Sequence, residues 1–164
     1  MMKFLILAAS ALAAPVQAAE PIELWGKITS ETTTVEIPNL IDSSRFKKMN
    51  PHKKDTDILG YQLSENCEVH IELRHPAGKV NQVMIEWLHQ PNCVDAVRGS
   101  LTAKYGEAVS TENDQGYGLH AAIAGRGRMM VWSNKDRSIG LFTSNDGMLT
   151  QLSYKVNTFN DNEI

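Results

Sequence analysis

The feature that most constrains this chain is a strictly alternating segment that begins at one cysteine and leads, through a turn, toward the only other. From Cys67 the sequence reads Cys-Glu-Val-His-Ile-Glu-Leu-Arg-His, so Cys67, Val69, Ile71 and Leu73 share one face and Glu68, His70, Glu72 and Arg74 the other. Period-two alternation of this kind marks a strand with one buried face. Pro76-Ala77-Gly78 follows, with Pro presetting φ and Gly supplying a left-handed position, and predicts a three-residue hairpin loop. That loop sets Leu73 opposite Asn81, Ile71 opposite Val83, Val69 opposite Ile85, Cys67 opposite Trp87 and Glu68 opposite Glu86. The apolar faces of the two strands then coincide, whereas a slip of one residue would turn one of them to water.

The return strand ends near His89, and Gln90-Pro91-Asn92 leads into a helix predicted over residues 93–105, with Asn92 as N-cap and Gly106 just past its end. Val94, Val97, Leu101 and Tyr105 recur at helical spacing and form its apolar face. Cys93 therefore starts the helix close to where the hairpin has returned to Cys67, which predicts a Cys67–Cys93 disulfide. Two cysteines without a Cys-x-x-Cys motif are the pattern of one structural bridge in an oxidising compartment.

The start of the chain agrees with that compartment. Residues 1–18 carry one cation, Lys3, then a largely apolar run over 4–14 and Val16-Gln17-Ala18 as a small-x-small cleavage signal. This is the composition of a bacterial secretory signal peptide, and it predicts an exported protein of the periplasm or the medium. The run is too short to span a bilayer, and no later stretch reaches the roughly 18 apolar residues a span requires. Residues 19–164 then form one domain. Without Lys3 the formal net charge of −3 becomes −4, a balance that favours neither nucleic acid nor an anionic membrane as a partner.

The remaining segments fill in the fold. Residues 21–37, rich in Thr and Ile, predict an extended segment or edge strand ended by Pro38. Residues 45–54 hold Arg45, Lys47, Lys48, Lys53 and Lys54 with His52, show no periodicity, and read as a long exposed basic loop. Residues 58–63 add a strand. The glycine-rich stretch 106–128 lacks the strand, helix start and spacing of a phosphate loop and reads as a mobile connection. Residues 128–156 predict a three-stranded meander, in which Asp146-Gly147 forms a type I′ turn pairing Leu141 with Leu152, and residues 134–137 form a loop pairing Trp132 with Ile139. The expected fold class is thus α+β: a two-layer single domain whose antiparallel sheet, a hairpin plus a three-stranded meander, carries one helix on one face.

No catalytic motif is present. The histidines are scattered, the cysteines are used by the disulfide, no Gly-x-Ser-x-Gly occurs, and neither a cofactor nor a metal is expected. The leading expectation is therefore a non-enzymatic, immunity-like or inhibitory module that binds a protein partner in the cell envelope. Trp25, Arg45, Lys47, Lys48, Lys53 and Lys54 are its candidate contact residues. The alternative is a small enzyme or a metal- or ligand-binding protein working from the outer face of the 67–89 hairpin through His70, Glu72 and Glu86, where carboxylates flank an imidazole. An accessory factor in envelope assembly is a further alternative.

Overall fold

The computed structural model describes residues 20–116 and 122–157. The expected signal peptide at 1–18 and the last residues of the polar tail lie outside them, as does part of the glycine-rich stretch. Ten strands and one long helix are formed among the described residues. Eight strands make a single antiparallel sheet in the order β3-β4-β5-β6-β10-β9-β8-β7, with β3 (Lys48–Pro51) and β7 (Val109–Gln115) as its two edges. Between them run β4 (Asp55–Ser64), β5 (Cys67–Arg74), β6 (Gln82–Leu88), β10 (Leu149–Val156), β9 (Arg137–Ser144) and β8 (Arg126–Ser133). The chain is thus mostly β, which overturns the expected α+β domain of a simple hairpin plus meander.

The missed strands share one physical property: their pairing is not written in apolar alternation. β7 reads Val-Ser-Thr-Glu-Asn-Asp-Gln and buries none of its side chains, so only its backbone ladder with β8 defines it. β3 is short, half polar and ended by Pro51, as edge strands often are. Part of the basic stretch expected as a loop is therefore an edge strand. Arg45 closes a short 3₁₀ turn before it, and His52, Lys53 and Lys54 form the hairpin turn after it. In β4, Gly60 lies at φ +67°, and the resulting bulge breaks the alternation between Ile58 and Tyr61, both of which are buried. Asn66, at φ +59°, closes the tight turn from β4 into β5.

The predicted hairpin is present with a register that differs by two residues. Ile71 faces Ile85, Leu73 faces Val83, and His70, not Glu68, faces Glu86. An even shift preserves the faces, so the apolar pattern is equally satisfied. The connection differs with it: Arg74 pairs with Gln82, so His75 and Val80 leave the ladder and join a longer loop. The longer loop buries both, at 1% exposure each, and lets the Val80 amide donate to the Thr32 carbonyl at 2.9 Å. In the meander the predicted register holds, with Leu152 on Leu141, Tyr154 on Ile139 and Trp132 on Ile139. Its second turn is a four-residue loop between Ser144 and Leu149, in which Gly147 alone takes positive φ.

The helix α2 (Pro91–Tyr105) begins two residues before the predicted start, with Pro91 in its first turn, and ends as predicted where the Gly106 amide donates to the Thr102 carbonyl. It lies on the face of the sheet that presents Ile71, Leu73, Val83, Ile85, Leu141 and Leu152, contributing Cys93 and Leu101 to the core, with Val94, Val97 and Tyr105 packed beside them. The Cys67–Cys93 disulfide is formed, with a Cα–Cα distance of 5.7 Å, and fastens the helix start to β5. The N-terminal segment completes this layer. The small hairpin of β1 (Glu23–Trp25) and β2 (Ile28–Thr29) and the turn α1 (Ile37–Leu40) bury Leu24, Ile28, Ile37 and Ile41 in the same core. Pro38 starts that short helix and does not end a strand. On the opposite face, Met129, Phe142 and Leu149 make a second, smaller apolar cluster.

Candidate functional site

Trp25 is half-buried at the end of β1. Its ring meets Tyr61 edge-on, with centroids 5.3 Å apart and planes at 75°, an arrangement the aromatic quadrupoles favour. The other side of the contact is cationic: the Arg45 guanidinium lies 5.0 Å from the Tyr61 centroid, within cation–π range. Arg45 is held there by its Nε and Nη2, which donate to the Gln62 carbonyl at 3.1 and 2.6 Å, while Nη2 also reaches the Leu63 carbonyl at 2.9 Å. Tyr61 thus joins two candidate residues that lie 20 positions apart in the sequence.

Beside this stack an open crevice of about 290 Å³ lies between α2 and the sheet. Trp25 and Leu63 line one side, Val97 and Leu101 the helical side, and the disulfide and Ile85 lie deeper. Its lining is mostly apolar, interrupted by Ser64 and Ser100, and Ser100 already spends its hydroxyl on the Ala96 carbonyl at 2.9 Å. A volume near 300 Å³ is at the small end of binding pockets. It suits one or two apolar side chains better than a large cofactor.

The five basic residues divide into two groups. Arg45 is fixed as described, and Lys47 bridges to Glu68 at 2.7 Å across Gly60, where an added Cβ would meet the Lys47 chain at 2.6 Å. These two organise the edge of the sheet. Lys48, on β3, and Lys53 and Lys54, in the turn, are exposed and make no side-chain hydrogen bond or ion pair among the described residues. They form an unneutralised cationic rim along the outermost strand and the turn that follows it.

His70 and Glu86 are brought together on the opposite face, directly paired across β5 and β6, with His70 Nδ1 3.9 Å from a Glu86 oxygen. His70 Nε2 lies 3.2 Å from Asp57 Oδ1, and His52 Nε2 3.3 Å from Asp57 Oδ2. A row His52–Asp57–His70–Glu86 therefore crosses from the β3 turn to β6, and Glu86 continues it to Gln151 on β10. Glu72 is not part of it, because its carboxylate pairs with Arg74. Among the described residues no group of three or more His, Cys, Asp or Glu is placed to hold a metal ion. The row runs along a sheet face, and a concavity of about 270 Å³ beside it is lined by Glu68, His70, Glu86 and Gln90.

Tyr61, Leu63, Val97 and Asp57 were not singled out by sequence reasoning. The signal for Tyr61 was weak, since the bulge at Gly60 hides it from the alternation of β4. Val97 was assigned to the apolar face of the helix, but nothing in the sequence said that this face would be left partly open. Comparison with protein-family models, with curated proteins and with solved structures finds no match to this chain.

Proposed function

We propose that the chain is an exported, non-enzymatic protein-binding module of the inhibitory or immunity-like kind, acting on a protein partner in the bacterial envelope or one delivered into it. An apolar side chain of the partner seats in the crevice beside Trp25, and acidic residues around it meet Arg45 and the lysine rim. The observation that carries the reading is the meeting of Trp25 and Arg45 on Tyr61 next to an apolar crevice, on the side of the sheet whose edge strand bears the free cations. Trp and Arg are the residue types enriched at binding hot spots, where an apolar pocket is ringed by polar groups. The disulfide and the leader-like start of the sequence support export, and a stapled, rigid crevice reduces the ordering cost of association.

The test is affinity capture from periplasmic extract and culture medium, with the wild-type protein and the K48Q/K53Q/K54Q variant compared at two salt concentrations. The reading expects a specific protein enriched by the wild type, and recovered less by the variant or at high salt. Turnover of envelope substrates by the purified protein, with no partner enriched, would overturn it.

A further inference from the structure

A second concave site lies toward the other side of α2, where the helix meets β8 and β9. It encloses about 270 Å³. Val94, Met130 and Leu141 give its lining apolar surface, while Arg98 from the helix, Glu112 from β7, Arg128 from β8, and Thr143, Ser144 and Asn145 make it polar. Among the described residues each arginine is committed through one nitrogen: Arg98 Nη2 to Asp95 at 2.8 Å, and Arg128 Nε to Glu112 at 2.7 Å. Both pairs are solvent-exposed, with the arginine side chains at 46% and 56% and the carboxylates at 73% and 57%, so they are readily exchanged. The guanidinium fork leaves further donors on each.

Two guanidinium groups lining one cavity with apolar side chains can recognise a carboxylate attached to a hydrocarbon body. The planar fork matches a carboxylate bidentately, and the cavity is too small for a large ligand. We infer that this cavity binds a small organic carboxylate with an aliphatic body, either a medium-chain fatty acid or the C-terminus of a peptide ending in an aliphatic residue. The site does not depend on the crevice beside Trp25, which shares none of its lining residues. Glu112 acts as an internal competitor, since it lines the cavity and already occupies Arg128.

Calorimetric titration with octanoate, octanol, acetate and N-acetyl-glycyl-leucine tests the inference on the full protein. Saturable one-site binding of octanoate or of the dipeptide is expected, and the stronger of the two identifies the source of the carboxylate. Octanol, lacking the charge, and acetate, lacking the body, should each bind at least tenfold more weakly. R98Q/R128Q should lose at least tenfold in affinity with its melting temperature unchanged, whereas E112Q should bind more tightly. Absence of saturable binding by both octanoate and the dipeptide overturns the inference. So does binding that is indifferent to R98Q/R128Q, or weakened by E112Q in a folded protein.

Discussion

At the scale of single residues, the disulfide and one glycine carry the clearest consequences. Cys67 and Cys93 are 26 positions apart, and cross-linking a loop of that length restricts the unfolded chain by about 3 to 4 kcal/mol in the loop-entropy account. Replacing both with Ala should lower the stability measured by denaturant unfolding by about that amount, and equal midpoints for oxidised and reduced protein would show the bridge to be idle. Gly127 is required for a different reason. Its φ is ordinary, but a Cβ there would lie 2.1 Å from the Thr143 carbonyl oxygen on β9. Gly127→Ala must therefore push β8 away from β9, and a loss of about 1 to 3 kcal/mol is expected, read as a lowered midpoint in the same measurement. Ionisable residues give a pH signature. Glu23 on β1 accepts from Lys104 in the last turn of α2 at 2.8 Å. That hydrogen bond holds the Glu23 carboxyl below its ordinary pKa and raises Lys104 above its own. The carboxylate's contribution is present above its unfolded pKa and lost as pH falls through the depressed folded value. The lysine's is present below its unfolded pKa and lost as pH rises through the raised one. Both side chains are about half exposed, at 51% and 53%, so solvent screening keeps the pair under about 1 kcal/mol. E23Q/K104Q should differ from wild type by that small amount in the neutral range, and the difference should vanish at either extreme of a pH-stability profile.

At the scale of elements, what was legible in the sequence follows from what each element buries. β5, β6, β8, β9 and β10 place apolar side chains on one face, and their existence and facing could be read from alternation. Three of these pairings were not equally determined. The meander register was fixed by short turns, while the hairpin register depended on whether His75 and Val80 would be buried by contacts with β4 and the Thr32 segment, which lie far away in sequence. His75 shows the point: its Nε2 meets Thr56 Oγ1 at 3.0 Å, a partner that local turn chemistry cannot announce. The edges β3 and β7 were illegible because an edge strand is half solvated and tolerates lysine, proline and acidic residues. The same property makes the β3 edge a place where Lys48 remains free for another molecule. Tyr154, in β10, was correctly assigned to the core, and its burial pushes the phenol well above its ordinary pKa. Its phenol therefore stays neutral beyond the pH at which an exposed tyrosine ionises.

At the scale of the whole molecule, one long sheet is covered on one face by α2 and the N-terminal segment, and that cover is incomplete. The crevice beside Trp25 is bounded by the helix, by β1 and by the end of β4, three pieces that no local pattern brings together. Sequence reasoning found Trp25 and the basic residues as separate candidates, and the fold joins Trp25 to Arg45 through Tyr61 while assigning Lys47 to the sheet itself. The proposed recognition surface is the combination of that crevice with the three free lysines on the edge. Steering by exposed charge acts over a Debye length of about 8 to 10 Å at ordinary salt, so it governs association rate, whereas the crevice governs how long the complex lasts. The measurement that tests this most directly is the association and dissociation kinetics of a captured partner with the wild type, W25A and K48Q/K53Q/K54Q, across a salt series. The account predicts that the lysine variant slows association at low salt and leaves dissociation nearly unchanged, while W25A speeds dissociation. Wild-type kinetics for both folded variants would contradict it and place the binding surface elsewhere on the sheet.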